Sequence, residues 1–150
     1  MAKISFVLLL SGLMLASCQQ KESKKTVTEE ASINDENQEV PAVVYYFHGT
    51  RRCPTCIKVG EIARATVENN FKKEIEEGKL KFEDINVEDG KHNDLVEKYQ
   101  IKWNALIIRI NGKNGEEISD LTDMAFQYAN TSPDEVEASI KSKLYQFLNQ

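Results

Sequence analysis

Ala42–Phe47, with the sequence AVVYYF, and the motif Cys53-Pro54-Thr55-Cys56 that follows it after a short loop decide the fold of this chain. A continuous run of β-branched and aromatic residues is typical of a strand that is buried on both faces of a sheet. Pro54 suits the first turn of a helix, where a missing N–H group costs nothing. The stretch therefore predicts a central strand, a short loop, and a helix that begins at the two cysteines.

The helix after the motif is predicted to be long. Apolar residues recur four apart along one stripe, which is helical spacing; they are Val59, Ala63, Val67, Phe71 and Ile75. Gly78 is a suitable stop, because glycine tolerates the left-handed conformation that often ends a helix. We therefore expect one long helix that begins at Pro54 and stops at Gly78.

The remaining pattern predicts a strand over 80–87, a short helix capped by Asn93 or Asp94, a strand over 105–110 and a hairpin into a strand over 117–121. Ser132 and Pro133 then place an N-cap and a first-turn proline at the start of a C-terminal helix. Early alternation of strands and helices with a late hairpin indicates an α/β fold, in which helices flank a central mixed sheet.

Residues 1–17 have the pattern of an export signal. Lys3 is followed by an apolar run that is shorter than the ~20 residues a membrane-spanning helix needs. The run ends in Leu15-Ala16-Ser17-Cys18, which resembles a bacterial lipobox. That resemblance implies that Cys18 becomes the first mature residue and carries the lipid. The alternative is an ordinary secretory signal with an unrelated cysteine nearby.

Residues 18–40 are predicted to form a flexible tether, because the segment is polar and has no aromatic residue with which to build a core. The folded domain is then expected at 41–150. Gln19, rather than Asp, follows the lipidated cysteine. By similarity to enterobacterial lipoproteins this favours the periplasmic face of the outer membrane over the inner membrane, within a bacterial cell envelope.

The charge balance argues against nucleic-acid binding. The chain carries 19 basic and 24 acidic residues, a net charge of −5, and its basic residues form only short clusters. A nucleic-acid-binding protein needs a basic face that neutralises phosphates. The expected partners are a protein or small-molecule disulfide or thiol, a redox partner protein, and the membrane through the lipid.

From residue 40 to the C-terminus, this order of elements with Cys-x-x-Cys at the first helix resembles the thioredoxin-like family. The segment Tyr99–Ala105, YQIKWNA, is similar to the stretch that leads into the third strand of that fold. A narrower resemblance links the YYFH and CPTC patterns to small thioredoxin-like proteins found near arsenic-resistance genes. The resemblance implies thiol–disulfide exchange without a bound cofactor.

The chain departs from the family at three points. Ala105 stands where the family usually has a cis-proline, so we expect a trans peptide bond there, since a cis bond before a non-proline residue costs ~3 kcal/mol or more. Arg52 replaces the tryptophan that usually precedes the first cysteine. The first strand also lacks the family's buried acid, and His48 is a candidate substitute as a proton acceptor.

Cys53 is the predicted nucleophile, because the free N–H groups and the dipole of a helix N-terminus stabilise a thiolate. Arg51 and Arg52 should lower its pKa further. Cys56 lies one turn later on the same face and is the predicted resolving thiol.

Other hypotheses remain open for the same residues. The cysteines suit a permanent structural disulfide, half of a metal site, or a dithiol that binds a soft metal or a metalloid such as arsenite. The domain is alternatively an inert interaction module. His48 is alternatively a strand-end residue with a satisfied hydrogen bond, and Arg51 and Arg52 are alternatively solvated loop charges. Tyr45 and Trp103 are interpreted as packing residues rather than as platforms for a substrate.

Overall fold

The computed structural model describes residues 40–148. The predicted signal at 1–17, the lipidated Cys18 and all of the predicted tether except Val40 lie outside the described residues. The interpretation of the chain as a lipoprotein therefore stays a prediction. Within the described range, no helix combines the length and apolar character needed to cross a bilayer.

Four strands form one mixed sheet. They are β1 (Ala42–His48), β2 (Leu80–Asn86), β3 (Ala105–Gly112) and β4 (Gly115–Asp120). Their order across the sheet is β2-β1-β3-β4; β1 runs parallel to β2 and antiparallel to β3, and β3 runs antiparallel to β4. The predicted α/β architecture with a mixed sheet and β1 at its centre is confirmed.

Five helices accompany the sheet within residues 40–148. They are α1 (Pro54–Asn70), α2 (Lys72–Glu76), α3 (Asn93–Lys98), α4 (Thr122–Tyr128) and α5 (Pro133–Leu148). Helix α5 begins at the proline, as its sequence predicts. The cap predicted for α3 is wrong, because His92 occupies the N-cap position without a side-chain hydrogen bond.

The prediction of one continuous helix up to Gly78 is wrong. The backbone of Phe71 leaves the helical conformation, with φ −132° and ψ 35°, and separates α1 from α2. Phe71 is buried in the core, whereas Ile75 is 37% exposed. The apolar stripe therefore continues in the sequence beyond the residue at which α1 ends.

Helix α4 is an element that the sequence did not predict. It has only seven residues, too few for a repeating apolar pattern, and its buried position is Ala125. The hairpin between β3 and β4 is confirmed, although β4 starts at Gly115, earlier than predicted, and ends at Asp120.

Both faces of the sheet are covered, which explains the unbroken apolar run of β1. Val44 and Tyr46 pack in one cluster with residues of α1 and α5, and Val43, Tyr45 and Phe47 pack in a second cluster on the opposite face. Because α1 begins a few residues after β1 ends, the motif lies near the carboxyl end of the central strand.

Candidate functional site

Cys53 and Cys56 form a disulfide bond, with their Cα atoms 4.9 Å apart. Cys53 occupies the N-cap position of α1 with an extended backbone, and Pro54 is the first residue of the helix. The predicted placement of the pair on the first turn of this helix is confirmed.

The two sulfur atoms differ in their surroundings. Cys53 is exposed, whereas Cys56 is only 5% exposed. The backbone N–H of Cys56 donates to Cys53 Sγ over 3.0 Å. The helix N-terminus thus offers a hydrogen-bond donor to the accessible sulfur, and this is the arrangement that favours a thiolate at Cys53 in the reduced state.

Arg51 and Arg52 lie in different environments. Arg51 is exposed, and its charge helps to lower the pKa of Glu88. Arg52 has only 26% of its side chain exposed, and its guanidinium lies over the Tyr46 ring, 5.2 Å from the centroid. Arg52 is therefore a half-buried packing residue rather than a solvated loop charge.

His48 is held by two oxygen atoms. Its Nε2 lies 2.7 Å from Asp84 Oδ1, and its Nδ1 lies 2.8 Å from the carbonyl oxygen of Gly49. Both neighbours are acceptors, so the site satisfies both ring nitrogens when both carry protons. This geometry matches a strand-end histidine with satisfied hydrogen bonds, and the proton-transfer role stays a prediction.

Ala105 begins β3 and pairs with Phe47 near the carboxyl end of β1. Its side chain is buried at 7% exposure. No peptide bond within residues 40–148 is cis, so the trans bond expected before Ala105 is confirmed. Ala105 therefore lies at the same end of the sheet as the loop that connects β1 to the motif.

Three site residues were not predicted from the sequence. The Tyr46 hydroxyl donates to the carbonyl oxygen of Cys56 over 2.5 Å. Asp84 on β2 binds His48 and lies 2.9 Å from an Arg64 nitrogen. Gly60 lies beneath Tyr46 and Arg52, where a Cβ atom would come within 2.6 Å of an Arg52 nitrogen. The usable signal for Gly60 is a glycine inside a helical pattern, which lowers helix stability and so suggests a packing reason.

The loop between β1 and α1 is fixed by hydrogen bonds. Glu88 Oε2 accepts the backbone N–H of Thr50 at 2.9 Å, and the Asn86 amide donates to the Thr50 hydroxyl over 3.1 Å. Hydrogen bonds from Thr50 hold the pKa of the Glu88 carboxyl below its usual value, with a smaller contribution from Arg51. On the helix side, the Asn130 amide donates to the Thr55 hydroxyl over 2.8 Å. The motif is thus presented on a restrained loop.

A cleft of about 380 Å³ adjoins this loop. Trp103 lies on its wall with 79% of its surface exposed, so the interpretation of this tryptophan as a packing residue is wrong. Tyr45, at 6% exposure, does pack as expected. The cleft combines apolar and charged groups; its lining residues are Gly49, Arg51, Val87, Glu88, Val96, Ile101, Lys102, Trp103 and Asn104.

In the described part of the chain, no group of three or more His, Cys, Asp or Glu side chains is arranged to hold a metal ion. A closed zinc site takes four ligands. A soft metal or arsenite bound here would have the two sulfurs of Cys53 and Cys56 and would need its further ligands from elsewhere. That alternative stays a prediction.

No protein-family model, curated protein or solved structure gives a significant match to this chain.

Proposed function

We propose that this chain is a thioredoxin-like thiol–disulfide oxidoreductase that uses Cys53 and Cys56. The observation that carries the proposal is the asymmetry of the disulfide at the start of α1, where Cys53 is exposed and Cys56 is buried. An exchange enzyme needs one sulfur within reach of a substrate and a second one held directly behind it. A purely structural bridge does not require this placement.

The order of elements supports the thioredoxin-like assignment. The motif follows a central strand that is buried on both faces, and it begins the helix that packs against that strand. The sheet is mixed, with β3 and β4 forming the closing hairpin. Ala105 with its trans peptide bond departs from the family pattern, and we therefore propose a mode of substrate docking that does not depend on the usual proline.

The reaction follows from the positions of the two sulfurs. The Cys53 thiolate attacks one sulfur of a substrate disulfide, so a mixed disulfide forms while the substrate S–S bond breaks and its second sulfur leaves and takes up a proton. Cys56 then loses its proton and attacks Cys53 Sγ. This step breaks the mixed disulfide, releases the first substrate sulfur as a thiol and leaves the Cys53–Cys56 bond. Two electrons pass from the dithiol to the substrate, and the reverse sequence oxidises a substrate dithiol.

We further propose that the protein acts in a bacterial cell envelope, held by lipid on Cys18. The lipobox-like residues before Cys18 support this, and so does the Cys53–Cys56 disulfide, since disulfides persist mainly in oxidising, extracytoplasmic compartments. A redox partner protein would regenerate the dithiol. The substrate is a protein or small-molecule disulfide or thiol.

The reduction potential of the Cys53–Cys56 pair, measured in glutathione buffers, tests the function. We expect a two-electron transition between about −120 and −270 mV, the range of redox-active proteins with this chemistry. A disulfide that stays oxidised below about −300 mV would instead be structural and would overturn the proposal.

Variants assign the two sulfurs. Cys53→Ser should abolish disulfide reduction, whereas Cys56→Ser should accumulate a mixed disulfide with the substrate. Cys18→Ser is the matched control and should leave turnover in solution unchanged. Full turnover by both motif variants would exclude the mechanism.

A further inference from the structure

Asp84 lies within ion-pair distance of three basic side chains, those of His48, Arg52 and Arg64. Its Oδ1 lies 2.7 Å from His48 Nε2, and its Oδ2 lies 2.9 Å from an Arg64 nitrogen and 3.9 Å from Arg52 Nη1. Asp84 is paired in register with Tyr46 on the neighbouring strand. Only 25% of its side chain is exposed, so its charge is partly shielded from solvent.

Arg52, the residue before the nucleophile, extends toward this carboxylate. The guanidinium stacks on Tyr46 and lies above Gly60, where the missing side chain makes room for it. Burial raises the pKa of the Tyr46 phenol, and the neighbouring Arg52 guanidinium opposes part of that shift. The phenol hydroxyl donates to the Cys56 carbonyl. A continuous set of contacts thus runs from Asp84 through Arg52 and Tyr46 to the second cysteine.

Asp84 is an ion-pair partner of Arg52 in this position. The buried Nε of Arg52 has no hydrogen-bond partner among residues 40–148, so the guanidinium is held by its other nitrogens alone. Its ion pair with Asp84, at 3.9 Å, is longer than a hydrogen bond. Because Arg52 is directly bonded in sequence to Cys53, releasing it from this position would make its charge available to a thiolate at Cys53.

We infer that Asp84 is a positioning residue: it holds the Arg52 side chain against Tyr46 and Gly60, and thereby sets the reactivity of Cys53. This inference rests on the proposed function, since it concerns the same dithiol. With Asp84 present, its carboxylate offsets part of the positive charge of Arg52. That charge then stabilises a thiolate at Cys53 less. Without Asp84, Arg52 is free to pair with the thiolate, which favours the reduced dithiol and makes the protein more oxidising.

The test measures the pH profile of Cys53 alkylation in the reduced full chain, with the Cys53 peptide followed by mass spectrometry. This readout requires no turnover, so it distinguishes failure of the inference from failure of the proposed function. Asp84→Asn should move the midpoint of the profile to lower pH and raise the alkylation rate below that midpoint at least about threefold. Glu83→Gln, on the same strand, is the matched control and should leave the profile unchanged.

A double-mutant cycle with Arg52→Ala separates the positioning role from a direct effect of the Asp84 charge. Removing Asp84 should have little effect once Arg52 is absent. An unchanged profile in Asp84→Asn, or a shift of equal size with and without Arg52, would overturn the inference. If Asp84→Asn does not fold, Asp84→Thr also removes the charge, suits a strand, and carries the same expectation.

Discussion

The Tyr46 hydroxyl donates a hydrogen bond to the carbonyl oxygen of Cys56 over 2.5 Å. This bond connects the central strand β1 to the buried cysteine of the disulfide. Tyr46 is fully buried, with 0% exposure, although its hydroxyl is polar. The bond joins residues ten positions apart. It fixes the first turn of α1 against β1, and the position of the disulfide depends on that contact.

Tyr46→Phe should destabilise the oxidised protein by about 1–2 kcal/mol, because the variant keeps the ring but removes a buried hydrogen bond. Urea unfolding measures the change. Tyr145→Phe is the control, since Tyr145 is 47% exposed and its variant should unfold within experimental error of the wild type. Equal stability of all three proteins would show that the contact contributes nothing.

The phenol of Tyr46 also predicts the behaviour of the protein in alkali. Burial raises the pKa of Tyr46, and the neighbouring Arg52 guanidinium only partly opposes this. The folded state therefore binds the phenolic proton more tightly than the unfolded chain, whose tyrosines ionise near pH 10. The stabilisation of the folded state by the protonated Tyr46 phenol is fully present below pH 10. It is lost as the pH rises through the folded-state pKa of Tyr46.

We expect the free energy of unfolding to fall from about pH 10 upward, and to fall less steeply in Tyr46→Phe. Urea unfolding at a series of pH values from 8.5 upward, on the disulfide-bonded protein, provides the slope. Burial raises the pKa of Tyr45 as well, so the variant should retain part of the dependence. An identical slope in wild type and variant would contradict this account of Tyr46.

Gly60→Ala should destabilise the protein, although replacing glycine by alanine inside a helix usually stabilises by about 1 kcal/mol. A Cβ atom at position 60 would lie 2.6 Å from an Arg52 nitrogen and 2.7 Å from a Tyr46 ring carbon. Forcing these side chains apart is expected to cost about 1–3 kcal/mol.

Thermal unfolding of Gly60→Ala and Gly112→Ala compares a crowded glycine with an open one. At Gly112 the nearest atom to an added Cβ is the Gly115 carbonyl oxygen at 3.8 Å, an ordinary contact. Gly112→Ala should therefore change stability little. A Gly60→Ala variant as stable as the wild type would mean that Arg52 and Tyr46 have room to move.

The features that the sequence predicted well are local. The apolar run of β1 and the proline of the motif act within a few residues, and they placed both the central strand and the start of α1. The break at Phe71 was not predicted, because the apolar period continues to Ile75 while the backbone does not. The choice between burying Phe71 and continuing the helix depends on tertiary packing.

The missed site residues are those that the sheet register brings together. Asp84 meets His48 and Arg52 only because β2 pairs in parallel with β1, in a register that sets Asp84 beside Tyr46. Register depends on side-chain packing along the whole strand rather than on any local pattern. A sequence that shows an acid in one strand and a histidine in another therefore predicts neither contact.

Trp103 is exposed beside the motif loop, where a protein substrate is expected to dock. The cleft beside the motif loop has apolar walls at Val87, Val96 and Ile101, and an exposed indole beside them gives a large surface for a partner to cover. Removing the ring should therefore weaken the binding of a bulky partner and leave the chemistry at the sulfurs intact.

Trp103→Ala should lower kcat/KM for a protein disulfide roughly five- to tenfold, mainly through KM, because burial of an aromatic side chain at an interface is worth on the order of 1–2 kcal/mol. Reduction of a small aromatic disulfide, which is attacked by Cys53 without covering the cleft, should be unchanged. Ile118→Ala is the matched control, since Ile118 is 44% exposed but lies on β4 outside the cleft. Trp103 is the single tryptophan of the chain, so its fluorescence reports independently on whether the partner reaches it. Equal losses for both disulfides would place Trp103 in the chemical step, and no loss for either would exclude the cleft as the docking site.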